Sequence, residues 1–436
     1  MFEVGLHHAL RKQFTRGRLR VDYPSGRSET YGGAIPHNRT APVSAVRITD
    51  AAALRRIARD PGLGVAEMYM EGRLVIEEGD IYDLLDIARL NSPAAPDTGL
   101  SRLGHFLRNF NAASALRAIG LRRARQNVAH HYDLDERLYR LFLDRDMQYS
   151  CAWFEHPDMS LDAAQLAKKR LIAAKLLLRP GARVLDIGCG WGGMALYLAR
   201  VCDADVTGIT LSAEQHRVAT DRAEAAGLSD RVRFLLEDYR EIEGRFDAIV
   251  SVGMFEHVGL RQYDDYFSAA HRLLAPDGVM LLHTIAQPRA WRYAHPFIDK
   301  YIFPGGYLPA VSQILPAIEG SGLLLRDLEI LSLHYADTLR EWRRRVHAKR
   351  DEVVALYDER FLRMWDLYLA GSEASFRHDP LFVGHFQIAR DQASVPRTRA
   401  YLQPAMDQLR RREAEIADYA DLIGRPAAAG HRHAGE

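Results

Sequence analysis

Val184-Leu185-Asp186-Ile187-Gly188-Cys189-Gly190-Trp191-Gly192-Gly193 is the stretch on which the fold of this chain turns. An apolar run of strand length carries an acidic residue near its end, breaks into glycines and opens a helical pattern. Doubly wound α/β folds hold nucleotide-like cofactors in this way, because glycine lets the backbone approach the ligand just ahead of a helix N-terminus. The spacing is G-C-G-W-G-G, not the G-x-G-x-x-G of a dinucleotide site. It favours S-adenosylmethionine, which has no pyrophosphate to cradle. Taken alone, the turn also fits an ordinary glycine-rich strand-to-helix connection.

Outward from this turn, residues 165–290 alternate between helix and strand periodicity, as a parallel sheet covered on both faces requires. Strands are expected at Arg183–Ile187, Asp205–Ile209, 232–236, 248–252 and 279–284, with helices at 163–178, 193–201, 213–226 and 263–274. In such a sheet the ligand lies beyond the carboxyl ends of the strands. The residues expected there are polar: Asp186 and the glycines, then Thr210, Ser212, Gln215, Glu237, Asp238, Tyr239, Gly253, Glu256 and His283. Singly, each has a plainer reading, such as a helix cap for Thr210, Ser212 or Glu256 or a structural role for a strand-end histidine. Together they define one crevice.

At 436 residues the chain exceeds the usual single domain and divides into two or three compact units. Hydrophobic residues at 47% and charged residues at 26% permit a large core. The formal net charge of +1 excludes a global basic field for nucleic acid. Cys151, Cys189 and Cys202 have neither zinc nor disulfide spacing, so no metal site is expected and the compartment reads as reducing. With no signal-peptide core and no long uninterrupted apolar run, a cytoplasmic protein is expected.

Residues 1–95 mix strand-like runs such as Val43–Ile48 with helical ones such as Ile81–Leu90, giving a small α+β module. Ser92-Pro93-Ala94-Ala95-Pro96-Asp97 marks a boundary. Residues 96–125 then form a linker and an arginine-rich amphipathic stretch, with Leu103, Phe106, Leu107, Phe110 and Leu116 on one face. That stretch fits a membrane surface and fits equally a helix packed on the main unit. The main unit spans 126–423, and the Ala/Gly/His-rich residues 424–436 are expected to be a disordered tail.

Six further segments occur in order: Asn127-Val128-Ala129-His130-His131-Tyr132-Asp133-Leu134, Met147-Gln148-Tyr149-Ser150-Cys151-Ala152, Ser251-Val252-Gly253-Met254-Phe255-Glu256-His257-Val258-Gly259, Leu281-Leu282-His283-Thr284-Ile285, Tyr301-Ile302-Phe303-Pro304-Gly305-Gly306 and His334-Tyr335-Ala336-Asp337-Thr338-Leu339. With the glycine turn, these resemble the cyclopropane-fatty-acyl-phospholipid synthase family, which includes the mycolic acid cyclopropane synthases. The resemblance covers about residues 126–415. It implies an α/β, class I methyltransferase-like doubly wound sheet with a smaller N-terminal α+β domain, of the kind that bacterial members carry. It also implies transfer of a methylene group from adenosylmethionine onto a cis double bond in a phospholipid acyl chain.

The chemistry suits such residues. A double bond is a poor nucleophile, so the sulfonium must be held against it in a dry, aligned site. Methyl transfer leaves a carbocation that closes to a ring only by losing a proton, which calls for a base and nearby negative charge. In the family that base is a bound bicarbonate, and the matching positions are Cys151, Gly253, Glu256, His283 and Tyr335. The resemblance implies that His283 and Tyr335 donate to bicarbonate, that Glu256 orients them, and that Cys151 with backbone amides completes the cradle. Outside the family, Cys151 reads as a small buried hydrophobe and Tyr335 as a core tyrosine.

For the cofactor, the resemblance carries over to Tyr149 and Ser150, to Val184, Leu185, Asp186, Ile187, Gly188, Cys189, Gly190, Trp191 and Gly192, to Thr210, Leu211, Ser212 and Gln215, and to Asp238, Tyr239 and Arg240. Where methyltransferases commonly place an acidic residue on the ribose, Thr210-Leu211-Ser212 stands, so the hydroxyls and Gln215 take that part. Asp238 is expected at the adenine amino group with Tyr239 stacking nearby. Ser372 stands where many family members have a second cysteine. Trp291, Phe297, Tyr301, Phe303 and Tyr307 are candidates for an acyl-chain lining. The basic run 339–350 fits anionic headgroups at the inner membrane surface or a solvated helix face. The resemblance further suggests a homodimer. A methyl- or methylene-branched product from the same lipid, and a silent lipid-binding protein, are the alternatives.

Overall fold

A computed structural model describes residues 2–34, 42–91, 135–290 and 295–420. The linker and amphipathic stretch, the 127–134 motif, Trp291 and the 424–436 tail therefore lie outside the described residues.

The first unit is a four-stranded sheet of β1 (Gly17–Asp22), β2 (Ser28–Gly33), β3 (Val43–Ile48) and β4 (Leu74–Glu78). Its order is β2-β1-β3-β4, with β1 and β3 parallel. Asp50, Asp60 and Asp80 each accept backbone N–H groups at the start of the helices Ala51–Arg59, Pro61–Met70 and Ile81–Leu90, satisfying donors that a helix start leaves orphaned. The helices Pro61–Met70 and Ile81–Leu90 pack on the long helix Glu359–His378, and Leu84, Met70, Trp365 and Leu369 belong to one continuous apolar core. Arg363 Nε donates to Met70 O at 2.8 Å, and Arg89 pairs with Asp379 at 2.9 Å across the same contact.

The second sheet has seven strands: β5 (Arg183–Ile187), β6 (Asp205–Ile209), β7 (Val232–Leu235), β8 (Phe246–Val252), β9 (Leu274–Ala286), β10 (Leu324–Leu331) and β11 (Phe382–Ala389). Its order is β10-β11-β9-β8-β5-β6-β7. The strands from β9 to β7 are parallel, and β11 runs antiparallel to both β9 and β10. Val184, Leu185, Ala248, Ile249 and Val250 have no exposed surface, as expected of parallel strands covered on both faces. This is the class I methyltransferase-like doubly wound sheet. The expected strands are present with ends shifted by up to two residues, except that β9 starts five residues earlier, at Leu274. The helix expected over 163–178 runs Leu161–Leu176.

That helix is buried on every side, Lys168, Lys169, Arg170 and Lys175 included. Such residues go fully inside only when paired, and three of the four meet a carboxylate, while Lys168 donates to Gln148 Oε1 and Ser150 Oγ. Lys169 meets Asp146, Arg170 meets Glu413 at 2.7 Å, and Lys175 meets Glu329.

The basic run 339–350 is divided between the interior and the surface. In the helix His334–Ala348, Arg343 turns inward to Asp366 and Asp80, at 2.7 and 2.8 Å, and Arg345 turns to Asp162. Arg344 and Lys349 pair with Glu341 and Glu352 on the surface.

Candidate active site

The chain leaves β5 outward through β6 and β7 and then returns to β8 on the other side of β5. The connections thus diverge between β5 and β8, and a crevice opens at their carboxyl ends. A cavity with about 1120 Å³ of empty space, open solvent at its mouth included, occupies this place. Its walls come from Asp186–Trp191 after β5, from Thr210, Leu211 and Gln215 after β6, from Glu237–Arg240 after β7, from Gly253, Met254, His257 and Val258 after β8, and from Met147, Gln148, Tyr149 and Ser150.

The turn is sterically bound to glycine. Gly188 has φ +79°, and a Cβ there would lie 2.7 Å from Met254 Cβ. At Gly190 an added Cβ would meet no atom of the described residues within 4 Å beyond its chain neighbours, so the backbone is bare there. Gly192, at φ +85°, would drive a Cβ to 2.8 Å from Phe234 and serves close packing instead. Val184 and Leu185 are fully buried in β5 and do not line the cavity, because strand alternation within a covered sheet turns both into core.

Asp186 is 1% exposed, and its Oδ2 has no partner among the described residues. Burial pushes its carboxyl up to about 7, against the pull of the Lys168 ammonium. Lys168 Nζ donates to Gln148 Oε1 at 2.7 Å and to Ser150 Oγ at 2.8 Å, and so ties the loop before Cys151 to the helix beneath it. Gln165 Nε2 adds a bond to Ser150 O at 2.9 Å. At the end of β6, Thr210 Oγ1 donates to Gln215 Oε1 at 2.9 Å, while Ser212 caps the following helix and stands behind the lining. Asp238 is gripped by Arg240, Nε to Oδ1 at 2.7 Å and Nη2 to Oδ2 at 2.8 Å. A ligand amino group there would meet a carboxylate already paired. Tyr239 sits edge-on to Tyr266, ring centroids 5.2 Å apart, and its ring is 5.3 Å from the Arg240 guanidinium.

Of the five residues expected at the reacting centre, Gly253 lines the cavity, and its N–H donates to His283 O at 2.9 Å. Glu256 stands between the lining residues Met254 and His257. Its Oε1 accepts from Ile285 N at 2.6 Å, and its Oε2 is buried without a partner among the described residues. Burial raises its pKa. The carboxylate thus grips the backbone of β9 two residues past His283, not the imidazole. His283 is 2% exposed, with Nδ1 2.8 Å from His385 Nε2. Cys151 is fully buried, its Sγ donates to Ala152 O at 3.2 Å, and burial pushes the thiol pKa up, so it stays protonated. Ala152 N donates to Thr338 Oγ1 at 3.0 Å in the helix that also carries Tyr335. Tyr335 packs on Trp342, against which Tyr149 of the cavity wall stacks at 5.1 Å. Three strand ends, one loop and one helix are thereby knitted together behind the cofactor crevice.

A family model described as mycolic acid cyclopropane synthetase matches residues 120–386. The chain belongs to this family. It is 40% identical over 347 residues to the cyclopropane-fatty-acyl-phospholipid synthase of Escherichia coli K12, covering 79% of this chain and 87% of the relative. It is 37% identical over 397 residues to the tuberculostearic acid methyltransferase UfaA1 of Mycobacterium tuberculosis, covering 88% and 90%. The crystal structure of the mycolic acid cyclopropane synthase CmaA1 with SAH and CTAB superposes with a TM-score of 0.58 at 38% identity, over 61% of this chain and 97% of that one. As a member of the cyclopropane synthase family, the protein is an S-adenosylmethionine-dependent methyltransferase. The cavity fits that cofactor, since its bare glycine backbone admits a close ligand and the unpaired Asp186 oxygen calls for a donor or a cation.

Several lining residues have no role that the sequence discloses. Met147, Gln148, Met254, His257 and Val258 lie within the motifs, and the 3₁₀ turns Phe255–His257 and Leu260–Gln262 after β8 bring His257 and Gln262 to the cavity. Lys168 and His385 reach the site across sequence separations of 18 and 102 residues. Of the aromatic candidates, none of Phe297, Tyr301, Phe303 and Tyr307 lines the cavity. The Phe303 ring lies 5.8 Å from that of the lining residue His257, Tyr307 N donates to Glu256 O at 3.1 Å, and Tyr301 gives its hydroxyl to Glu67.

Proposed function

We propose that the protein transfers a methylene group onto the cis double bond of an unsaturated phospholipid acyl chain, forming a cyclopropane, with a bound bicarbonate as base. Bound adenosylmethionine supplies an electrophilic methyl group. The observation that carries the reading is Glu256, a buried carboxylate with one oxygen engaged by β9 and the other unpaired, set beside the cofactor crevice. A fixed negative charge in a dry site stabilises developing positive charge far better than it would in water. His283 and Tyr335 offer N–H and O–H groups to the bicarbonate, which takes one proton from the transferred carbon as the ring closes. The protonated Cys151 thiol has no nucleophilic part in this scheme.

The aromatic side chains Tyr149, Tyr368 and Phe303 form a path that starts at the cavity wall and ends beside the lining residue His257. The two tyrosine hydroxyls are 2.9 Å apart, and the Phe303 and Tyr368 ring centroids are 5.9 Å apart. This path is the proposed acyl-chain lining, and matching apolar surface compensates the roughly 0.8 kcal/mol per methylene lost on leaving the bilayer. No helix among the described residues is long and apolar enough to cross a membrane, and the enzyme is proposed to visit the inner membrane surface peripherally, as a homodimer.

A second reading, a methyl- or methylene-branched product, draws support from the identity with the tuberculostearic acid methyltransferase over 88% of the chain. Incubation with vesicles of cis-monounsaturated phospholipid and methyl-deuterated adenosylmethionine separates the two. Upfield ring-methylene signals and a gain of one carbon in the acyl chain are expected. Olefinic or branched-methyl signals would transfer the assignment to the second reading. No mass gain with any lipid would leave only a silent lipid binder.

A further inference from the structure

Behind His283 runs a buried chain of groups that the reaction outlined above does not use. His283 on β9 and His385 on β11 are direct cross-strand partners, and the rings meet Nδ1 to Nε2 at 2.8 Å. The other nitrogen of His385, Nδ1, is 3.1 Å from Lys175 Nζ, and Lys175 also pairs with Glu329 of β10. His385 is fully buried, Lys175 is 1% exposed, and the chain reaches solvent only at Glu329, whose side chain is 26% exposed. Among the described residues, the bond to His385 is the only hydrogen bond of the His283 ring.

The direction of these bonds is dictated by chemistry. An ammonium group has only donors, so Lys175 donates to His385 Nδ1. A neutral imidazole that accepts at one nitrogen carries its proton on the other, so His385 donates from Nε2 to His283 Nδ1. The single proton of neutral His283 is then on Nε2. We infer that Lys175 and His385 are positioning residues, which hold His283 as the Nε2–H tautomer so that it always presents a donor on the side away from β11.

Burial and the nearby lysine ammonium groups hold both imidazoles well below their usual pKa, which keeps them neutral. A neutral imidazole left to itself would exchange between two tautomers, one of which turns a lone pair, not a proton, towards an oxyanion. The catalytic consequence rests on His283 donating to the bicarbonate, as proposed above, whereas the tautomer assignment stands on the hydrogen-bond chain alone.

Long-range ¹H–¹⁵N NMR of the full-length protein with ¹⁵N-labelled histidine reads the two ring nitrogens of His283 directly, with His283→Asn identifying its signals. The expected result is a protonated Nε2 and a bare Nδ1 in the parent. His385→Leu and Lys175→Met should each relax this to a mixture or to the other tautomer. His385→Gln should restore it, because its amide oxygen accepts from Lys175 and its amide N–H donates to His283. Calorimetric binding of adenosylmethionine reports whether each variant is folded, and His385→Gln and Lys175→Met remain informative if His385→Leu is not. In His385→Leu kcat should fall on the order of tenfold or more with KM for the cofactor unchanged, as for other partners that orient a functional histidine, and His385→Gln should recover most of it. A parent protonated at Nδ1, or a tautomer that does not move in the variants, would overturn the inference. A tautomer that moves while kcat does not would uphold the inference and remove His283 from the proposed chemistry.

Discussion

The Lys168 ammonium stands 2.8 Å from the Ser150 hydroxyl, so a lysine inside a buried helix holds the loop that walls the cofactor cavity. It holds Gln148 as well, at 2.7 Å. Lys168→Met removes a charged donor from two groups that stay buried, and a bond of that kind is worth about 1.5–3 kcal/mol. The expected result is a cofactor Kd raised on the order of tenfold or more by calorimetry, with the seven-stranded sheet intact by circular dichroism.

The same residue has a signature in pH. Burial pulls Lys168 down to about 8 from the ordinary 10.5, the nearby Asp144 only partly opposing it. Between those two values the unfolded chain binds a proton that the folded one has released, so this group's contribution to stability rises as pH rises through that window. Urea unfolding from pH 7 to pH 10 should show Lys168→Met gaining stability relative to the parent at the low end and losing that advantage at the high end. A difference that does not change with pH would mean that Lys168 is not a buried cation.

Glu256→Gln keeps the acceptor that Ile285 N uses at 2.6 Å but removes the charge. Oxyanion and counter-charge groups in dry sites are worth about 10²–10³ in kcat. Turnover should fall by that order with cofactor affinity unchanged. Because the carboxyl is buried and its pKa raised, a neutral amide should cost no thermal stability. A variant that loses cofactor binding along with turnover would place Glu256 in the cofactor site and not at the reacting centre.

What the sequence disclosed follows from where its information lies. The glycine turn and strands β5 to β8 are local and covered on both faces, so their apolar runs and breakers identify them. β10 and β11 escaped, because Leu324-Leu325-Arg326-Asp327-Leu328-Glu329-Ile330-Leu331 reads as well as a helix as a strand, and β11 buries His385 and Gln387 where a strand is expected to bury aliphatics. Gly253, Glu256 and His283 are legible from their places at strand ends, whereas Cys151, Tyr335 and the roles of all five are legible only through motif resemblance. The groups that hold them are not legible, because Lys168, Lys175 and His385 matter only through pairings set by tertiary register. The Leu161–Leu176 helix is the clearest case: its lysines and arginine suggest a solvated face, and the fold buries all of them on carboxylates, amides and hydroxyls.

Gly188→Ala should be far more damaging than its size suggests. A φ of +79° costs an alanine roughly 1–2 kcal/mol, and the added methyl would stand 2.7 Å from Met254 Cβ. Relief means moving the 3₁₀ turn after β8, which carries Glu256 and the lining residue His257. Cofactor binding and turnover should therefore fall together, as read by calorimetry and by methyl transfer. The matched control is Gly181→Ala, also at positive φ, at +74°, but with open space around its Cβ, and it should leave both unaffected while costing a little stability.

Asp366 carries one of the polar contacts between the four-stranded N-terminal unit and the rest of the chain. Its Oδ2 accepts from Tyr69 OH at 3.1 Å, and its Oδ1 accepts from Arg343 Nε at 2.7 Å and lies 2.8 Å from His347 Nε2. Burial alone would raise this carboxyl, but His347 and Arg343 outweigh it and hold the pKa below the ordinary 3.8. A carboxylate held down in the folded state contributes stability above its unfolded pKa and loses it as pH falls through the lower, folded value. Asp366→Asn leaves Arg343 buried with Asp80 as its remaining carboxylate, and breaking a buried pair from one side costs about 3–5 kcal/mol. Tyr69→Phe, which removes a single hydrogen bond, should cost only about 1 kcal/mol. In denaturant titrations the two losses should combine to less than their sum, since both act on one carboxylate. Full additivity would mean that the N-terminal unit is not anchored through Asp366.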